Sequence, residues 1–293
     1  MKPIFLLMLS LIGLGSGACL RHSAEAQQVV KEEPTPTVED RSEAQMKYYT
    51  QLQQILDSAK LKGAFLIFDP QRQVYHSNDF RWAKTPHLPA STFKIPNSIV
   101  ALENDILQDP SSMIHWDGKP RRMKAWEEDM TLAQAFMRSC LPCYQKLARE
   151  TGMDRMRATL DRIDYPGMIF DAETVDDFWV IGPSAIDQFQ QVDFLQRLHD
   201  QQLDIKPSTY QAMLKIMKIE VKGGYELYAK TGWSIVGEKH NGWFVGWIET
   251  KGNSYFFATN MSPGMGYDMD NFSQDRKKLT MAAFNELGIL AAQ

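Results

Sequence analysis

Three apolar runs standing almost end to end, at residues 226–233, 242–248 and 255–260, constrain this chain more than any other feature. The gaps between them are too short for the crossover that parallel strands need, so the three must run antiparallel. A second group lies far upstream. Residues 64–68 form an apolar run bounded by Gly63 and the turn Asp69-Pro70-Gln71, and Val74-Tyr75-His76 returns as its hairpin partner. Between the groups, residues 91 to about 219 carry helical periodicity, clearest at 130–137 and 192–198. A first helix is predicted from Ser42, with Tyr49, Leu52, Leu56 and Ala59 on one face, and a last one over 273–287 with Ser273 as N-cap. The predicted class is α+β: a central antiparallel sheet built from N- and C-terminal strands, flanked by helices, with a large helical insert and a cleft between insert and sheet.

The chain has 293 residues, 44% hydrophobic and 23% charged, which is enough for one large globular domain. A formal charge of −4, with no basic tract, argues against nucleic acid as a partner. The six histidines show no ligand spacing, so no metal is expected in the chemistry.

The chemistry starts at Ser91-Thr92-Phe93-Lys94. If a helix begins near Ser91, its hydroxyl and the Lys94 amine share one face, and the amine can take the serine proton. Ile95, Ile99, Leu102 and Ile106 supply the helical period, and Pro96 falls early enough for the first turn. Ser-x-x-Lys alone arises by chance in most chains of this length. Two further elements accompany it: Ser139 closes a helix-like stretch, and Lys230-Thr231-Gly232 sits on a strand, where Gly232 lets a ligand lie against the edge.

In that order the three motifs resemble the signature of penicillin-recognising serine enzymes. The stretch 89–97, Trp116-Asp117-Gly118, Phe178-Trp179 with Gly182, Lys230-Thr231-Gly232 and residues 243–247 are similar to the class D, oxacillinase-type β-lactamases over about residues 60 to 290. The resemblance implies a β-lactamase/transpeptidase-like fold and a hydrolase that opens the β-lactam ring of penicillin-type antibiotics. It implies Ser91 as nucleophile and Lys94 as an N-carboxylated lysine acting as general base, formed from carbon dioxide or bicarbonate with no other cofactor. Trp179 would donate its indole N–H to that carbamate. Ser139 and Lys230 would pass a proton to the lactam nitrogen, and the backbone N–H groups of Ser91 and Trp233 would hold the oxyanion. Thr231, Gly232, Trp233 and Arg276 would bind substrate, Arg276 offering a bidentate fork to its carboxylate.

Two departures stand out. The family usually reads Ser-x-Val where this chain has Ser139-Cys140-Leu141, and Tyr/Phe-Gly-Asn where it has Tyr165-Pro166-Gly167. Leu141 keeps the lid over Lys94 apolar but adds bulk, and no role passes to 165–167. Cys140 and Cys143 fit either a local disulfide or two buried thiols.

The N-terminus reads as an export signal over residues 1–18: Lys2, an apolar core from Ile4 to Leu14, then small residues before Cys19. Cleavage after residue 18 or 26, or lipidation at Cys19, both fit. Residues 19–41 read as a flexible leader or lipoprotein tether, and 42–293 as the enzyme domain. The expected location is the periplasm, free or lipid-anchored, as monomer or homodimer. The alternative is a penicillin-binding sensor or transpeptidase-like module that is acylated and does not turn over. The lack of a membrane span or second domain in the sequence favours the hydrolase.

Overall fold

A computed structural model describes residues 44–290, so the expected export signal, the leader and Cys19 lie outside the described residues. The first described elements are strand β1 (Gln45–Tyr48), helix α1 (Thr50–Ser58), strands β2 (Leu61–Asp69) and β3 (Val74–Ser77), and a short helix α2 (Phe80–Ala83). Here the structure corrects one expectation. The first helix starts at Thr50, because residues 45–48 pair in parallel with β3 instead. All four β1 residues are exposed, so no burial pattern marks the strand in the sequence. Asp69 shapes the β2–β3 turn, its carboxylate accepting from Gln71 N at 3.1 Å and Arg72 N at 3.2 Å.

The helical insert follows. A 3₁₀ turn over Ala90–Phe93 leads into α3 (Lys94–Glu103), a two-strand pair is made by β4 (Met113–Ile114) and β5 (Met130–Thr131), and then come α4 (Leu132–Met137), α5 (Leu141–Thr151), α6 (Met153–Arg162), α7 (Gln188–His199) and α8 (Pro207–Met217). Thr131 starts α4 with a capping box to Gln134, and Asp187 starts α7 with another to Gln190. The chain then returns to the sheet as β6 (Lys218–Lys222), β7 (Tyr225–Val236), β8 (Lys239–Thr250) and β9 (Asn253–Pro263), and ends its described part with α9 (Phe272–Glu286). β6 was not expected. Its apolar residues Ile219 and Val221 face outward, 44% and 68% exposed, so the strand adds an edge without adding core. Ser273 does not cap α9. The helix begins at Phe272, and Ser273 stands inside its first turn.

The strand order β1-β3-β2-β9-β8-β7-β6 joins the two sequence groups at β2 and β9, where Phe65 stands opposite Thr259. Every pair is antiparallel except β1–β3. Alternation then sends successive residues to opposite faces. Phe65, Ile67, Phe244 and Phe257 pack with Leu52 and Leu56 of α1 and Ala283 and Phe284 of α9, while Leu66, Trp243, Val245 and Ala258 face the helical insert. The insert covers one face of the sheet and the terminal helices the other. Gly63 marks how tightly the two groups meet, since a Cβ there would lie 2.2 Å from Asn260 O.

Candidate active site

The insert meets the sheet where the 3₁₀ turn before α3 packs on β7. Ser91 sits in that turn, and Lys94 opens the α-helix one turn later. The expected i, i+3 relation holds through the 3₁₀ geometry rather than through an α-helix starting at Ser91. Lys94 Nζ donates to Ser91 Oγ at 3.1 Å. Lys94 is fully buried and its nitrogen lies 5.0 Å from the centre of the Tyr144 ring. Burial without a carboxylate partner lowers its pKa from 10.5 to about 7, so a neutral amine is available at physiological pH.

The turn is strained and clamped. Ala90 has φ +52°, a left-handed conformation that costs a non-glycine residue on the order of 1–3 kcal/mol. Its N–H donates to the Trp179 carbonyl at 2.7 Å, and the Trp179 indole stacks on Phe93 with centroids 5.3 Å apart. One residue thus holds the turn through its backbone and packs on the residue before Lys94 through its ring. Trp179 is fully buried, and its Nε1 has no hydrogen-bond partner. A buried donor left unpaired costs roughly 1–3 kcal/mol, so it marks a place where an acceptor belongs.

The second and third motifs meet across the cleft. Ser139, at φ +51°, is held in the turn between α4 and α5, and Lys230 Nζ donates to its Oγ and to Thr231 O, the latter at 3.0 Å. Lys230 is buried, and desolvation, the Lys94 charge and the Arg276 charge, in that order, hold its pKa well below the usual lysine value. The Cys140–Cys143 disulfide forms, closing the alternative of free thiols, and ties the residue after Ser139 to the first turn of α5.

β6 pairs with β7 only as far as Tyr228, so beyond it the β7 edge is open to the cleft. At Gly232 a Cβ would lie 3.1 Å from Pro89 O, Thr92 Cγ2 and Trp243 Cβ, so a side chain there would press on the turn that carries Ser91. Arg276 reaches across from α9. It is 5% exposed, and its guanidinium donates to the carbonyls of Phe272, Gly232 and Ser273. Burial lowers its pKa to about 10, which still leaves it charged, and no carboxylate among the described residues bonds it.

The cleft has a volume of about 640 Å³. Ser91, Ser139, Thr231, Gly232, Trp233 and Arg276 all line it, whereas Lys94, Trp179 and Lys230 lie buried beneath or beside that surface. The structure therefore brings together every candidate residue of the described region. It adds some the motifs did not reveal: Tyr144, whose OH hydrogen-bonds Ser98 Oγ at 2.7 Å, and the loop residues Arg122, Met123 and Trp126. Trp126 Nε1 donates to Arg138 O at 3.1 Å, fastening that loop to the Ser139 turn. No motif spacing announces these residues: Tyr144 is a buried position of α5, and the other three are set by loop packing.

The penicillin-binding protein transpeptidase domain matches residues 33–284. β-Lactamase OXA-10 of Pseudomonas aeruginosa is 36% identical over 217 residues, covering 73% of this chain and 79% of that protein. The chain belongs to the class D β-lactamases. The crystal structure of the class D β-lactamase from Sebaldella termitidis superposes with a TM-score of 0.80 at 34% identity, covering 84% of this chain and 99% of that one. The C-terminal domain of the Bacillus licheniformis BlaR penicillin receptor superposes at 0.76 and 29% identity, covering 84% and 97%. A class D β-lactamase and a penicillin-receptor domain thus share this scaffold.

Proposed function

We propose that this class D β-lactamase hydrolyses the lactam ring of penicillin-type antibiotics through an acyl-enzyme on Ser91, with N-carboxylated Lys94 as general base. The observation that carries the second half is the unpartnered, fully buried indole N–H of Trp179 beside Phe93. A carbamate on Lys94 would accept that donor and would supply a base for both acylation and deacylation. The neutral amine that carbamate formation requires is supplied by burial of Lys94.

Ser91 Oγ gives its proton to the side chain at position 94 and bonds the lactam carbonyl carbon. The backbone N–H groups of Ser91 and Trp233 take the oxyanion, worth roughly 3–4 kcal/mol per donor. As the ring C–N bond breaks, Ser139 Oγ gives its proton to the lactam nitrogen and is refilled from Lys230 Nζ, its hydrogen-bond donor. The proton held at 94 passes through Ser139 to Lys230, which restores both groups; water then gives a proton to the side chain at 94 as its oxygen bonds the acyl carbon, and that proton returns to Ser91 Oγ as the ester C–O bond breaks. Thr231 and Gly232 on the open β7 edge border the substrate, and Arg276 holds its carboxylate.

Purified protein mixed with excess nitrocefin is expected to turn over continuously. A single burst equal to the enzyme concentration, with no further reaction, would instead establish an acylated receptor. Export to the periplasm, with or without a lipid on Cys19, is part of the same proposal and is tested by fractionation and by mass of the mature N-terminus.

Arg276→Ala is expected to raise KM for benzylpenicillin roughly 10- to 100-fold with a smaller loss in kcat, since a charge-assisted bond to the carboxylate serves ground and transition states alike. Arg276→Lys should fall between, as it keeps the charge and loses the fork. An unchanged KM in a folded Arg276→Ala protein would remove the residue from substrate binding.

A further inference from the structure

The cleft is cationic within a chain whose formal charge is −4. Arg122, Arg138 and Arg276 line it, and no aspartate or glutamate does. The three are not equivalent. Arg138 is ion-paired with Glu128, so its charge is offset. Arg276 is occupied by backbone carbonyls at the β7–α9 side, where the carboxylate of the substrate nucleus is expected. Arg122 enters from the helical side, on the loop before β5 that Trp126 fastens to the Ser139 turn. It is exposed, and among the described residues it makes no hydrogen bond, ion pair or ring contact, whereas its neighbour Arg121 pairs with Asp117. The same cleft exposes apolar side chains: Met123 is 47% exposed, Met137 70% and Ile235 44%, and all three line it with Trp126.

An unpaired guanidinium at the rim of an apolar cleft fits a ligand arm that carries an aromatic or aliphatic body and an anion together. Resting on the hydrolase reading above, we infer that Arg122 is a specificity residue that selects β-lactams bearing a second carboxylate on the acylamino side chain. The substrate is then a dianion held at two separate cations, Arg276 for the nucleus and Arg122 for the side chain. With no acid lining the cleft, nothing there opposes the second negative charge, and the low-dielectric walls focus the field on it.

Carbenicillin and benzylpenicillin provide the probe, since they differ by one carboxylate on the carbon next to the phenyl ring. Second-order rates of covalent labelling at Ser91, read by mass spectrometry before turnover, give the ratio of carbenicillin to benzylpenicillin. Arg122→Ala is expected to lower that ratio about fivefold, the size of a partly exposed ion pair. Arg122→Glu should lower it further, roughly twentyfold, and Arg122→Lys should retain most of it. Raising ionic strength from 0.05 to 0.5 M should shrink the ratio in the native protein and leave it flat in Arg122→Ala. A ratio that stays the same in both the alanine and glutamate variants overturns the assignment. A preserved effect of Arg122 on labelling in a protein that fails to turn over nitrocefin would sink the hydrolase reading and leave this one standing.

Discussion

Ser91→Ala should abolish hydrolysis, a loss of about 10⁴-fold or more, because it removes the atom to which the acyl group is attached and not merely an aid to its reaction. Covalent labelling by a fluorescent penicillin should vanish with it. The fold should survive. Ser91 lies in a turn whose shape is set by the Ala90 N–H bond to Trp179 O and by packing of the buried Phe93, neither of which uses the hydroxyl. Among the described residues the side-chain hydrogen bond lost is the 3.1 Å bond from Lys94 Nζ, whose pKa is already lowered to about 7 by burial. A circular-dichroism melt within a few degrees of the native protein would confirm this. Labelling that persists at Ser139, the other cleft serine partnered by a lysine, would move the nucleophile there and reverse the roles of the two pairs.

The sequence makes some parts of this arrangement visible and hides others for physical reasons. Residues 64–68 and the runs between 226 and 260 declare themselves because both faces of those strands are covered, so apolar side chains fill them almost continuously. β1 and β6 are missed because an edge strand is held by backbone bonds and leaves no burial signature in its side chains. The helix expected from Ser42 forms, but its start is misplaced for the same reason: residues 45–48 are polar enough for either state, and pairing to β3 decides. At the site, Ser91, Lys94 and the Lys230 strand are legible because short-range geometry fixes them. The clamp of Ala90 on Trp179 spans most of the insert and has no local signal. The Cys140–Cys143 spacing permits a bridge without requiring one. Arg122 is one basic residue among 32 until the loop places it in the cleft.

Activity should depend on carbon dioxide, and the dependence should steepen as pH falls. The folded Lys94 amine is lowered to about 7, so near that pH about half of it is neutral and able to form a carbamate. At pH 5.5 only roughly one amine in thirty would be neutral, and a carbamate that loses carbon dioxide would re-form slowly. Degassed enzyme at mildly acid pH should therefore lose most of its activity, on the order of 10²- to 10⁴-fold for a missing general base, and recover it with added bicarbonate. Lys94→Ala should show the same loss without recovery. Trp179→Phe separates the donor from the ring: it keeps the stack on Phe93 and removes the unpartnered N–H, so it should raise the bicarbonate concentration needed for half recovery. A merely structural tryptophan would leave that concentration unchanged. Carbon-13 NMR after labelled bicarbonate should show a carbamate carbon in the native protein that is absent in Lys94→Ala and weakened in Trp179→Phe. Full activity in degassed buffer, with no such signal at neutral pH, would leave the neutral amine itself as the base. It already stands 3.1 Å from Ser91 Oγ and needs no modification to accept a proton.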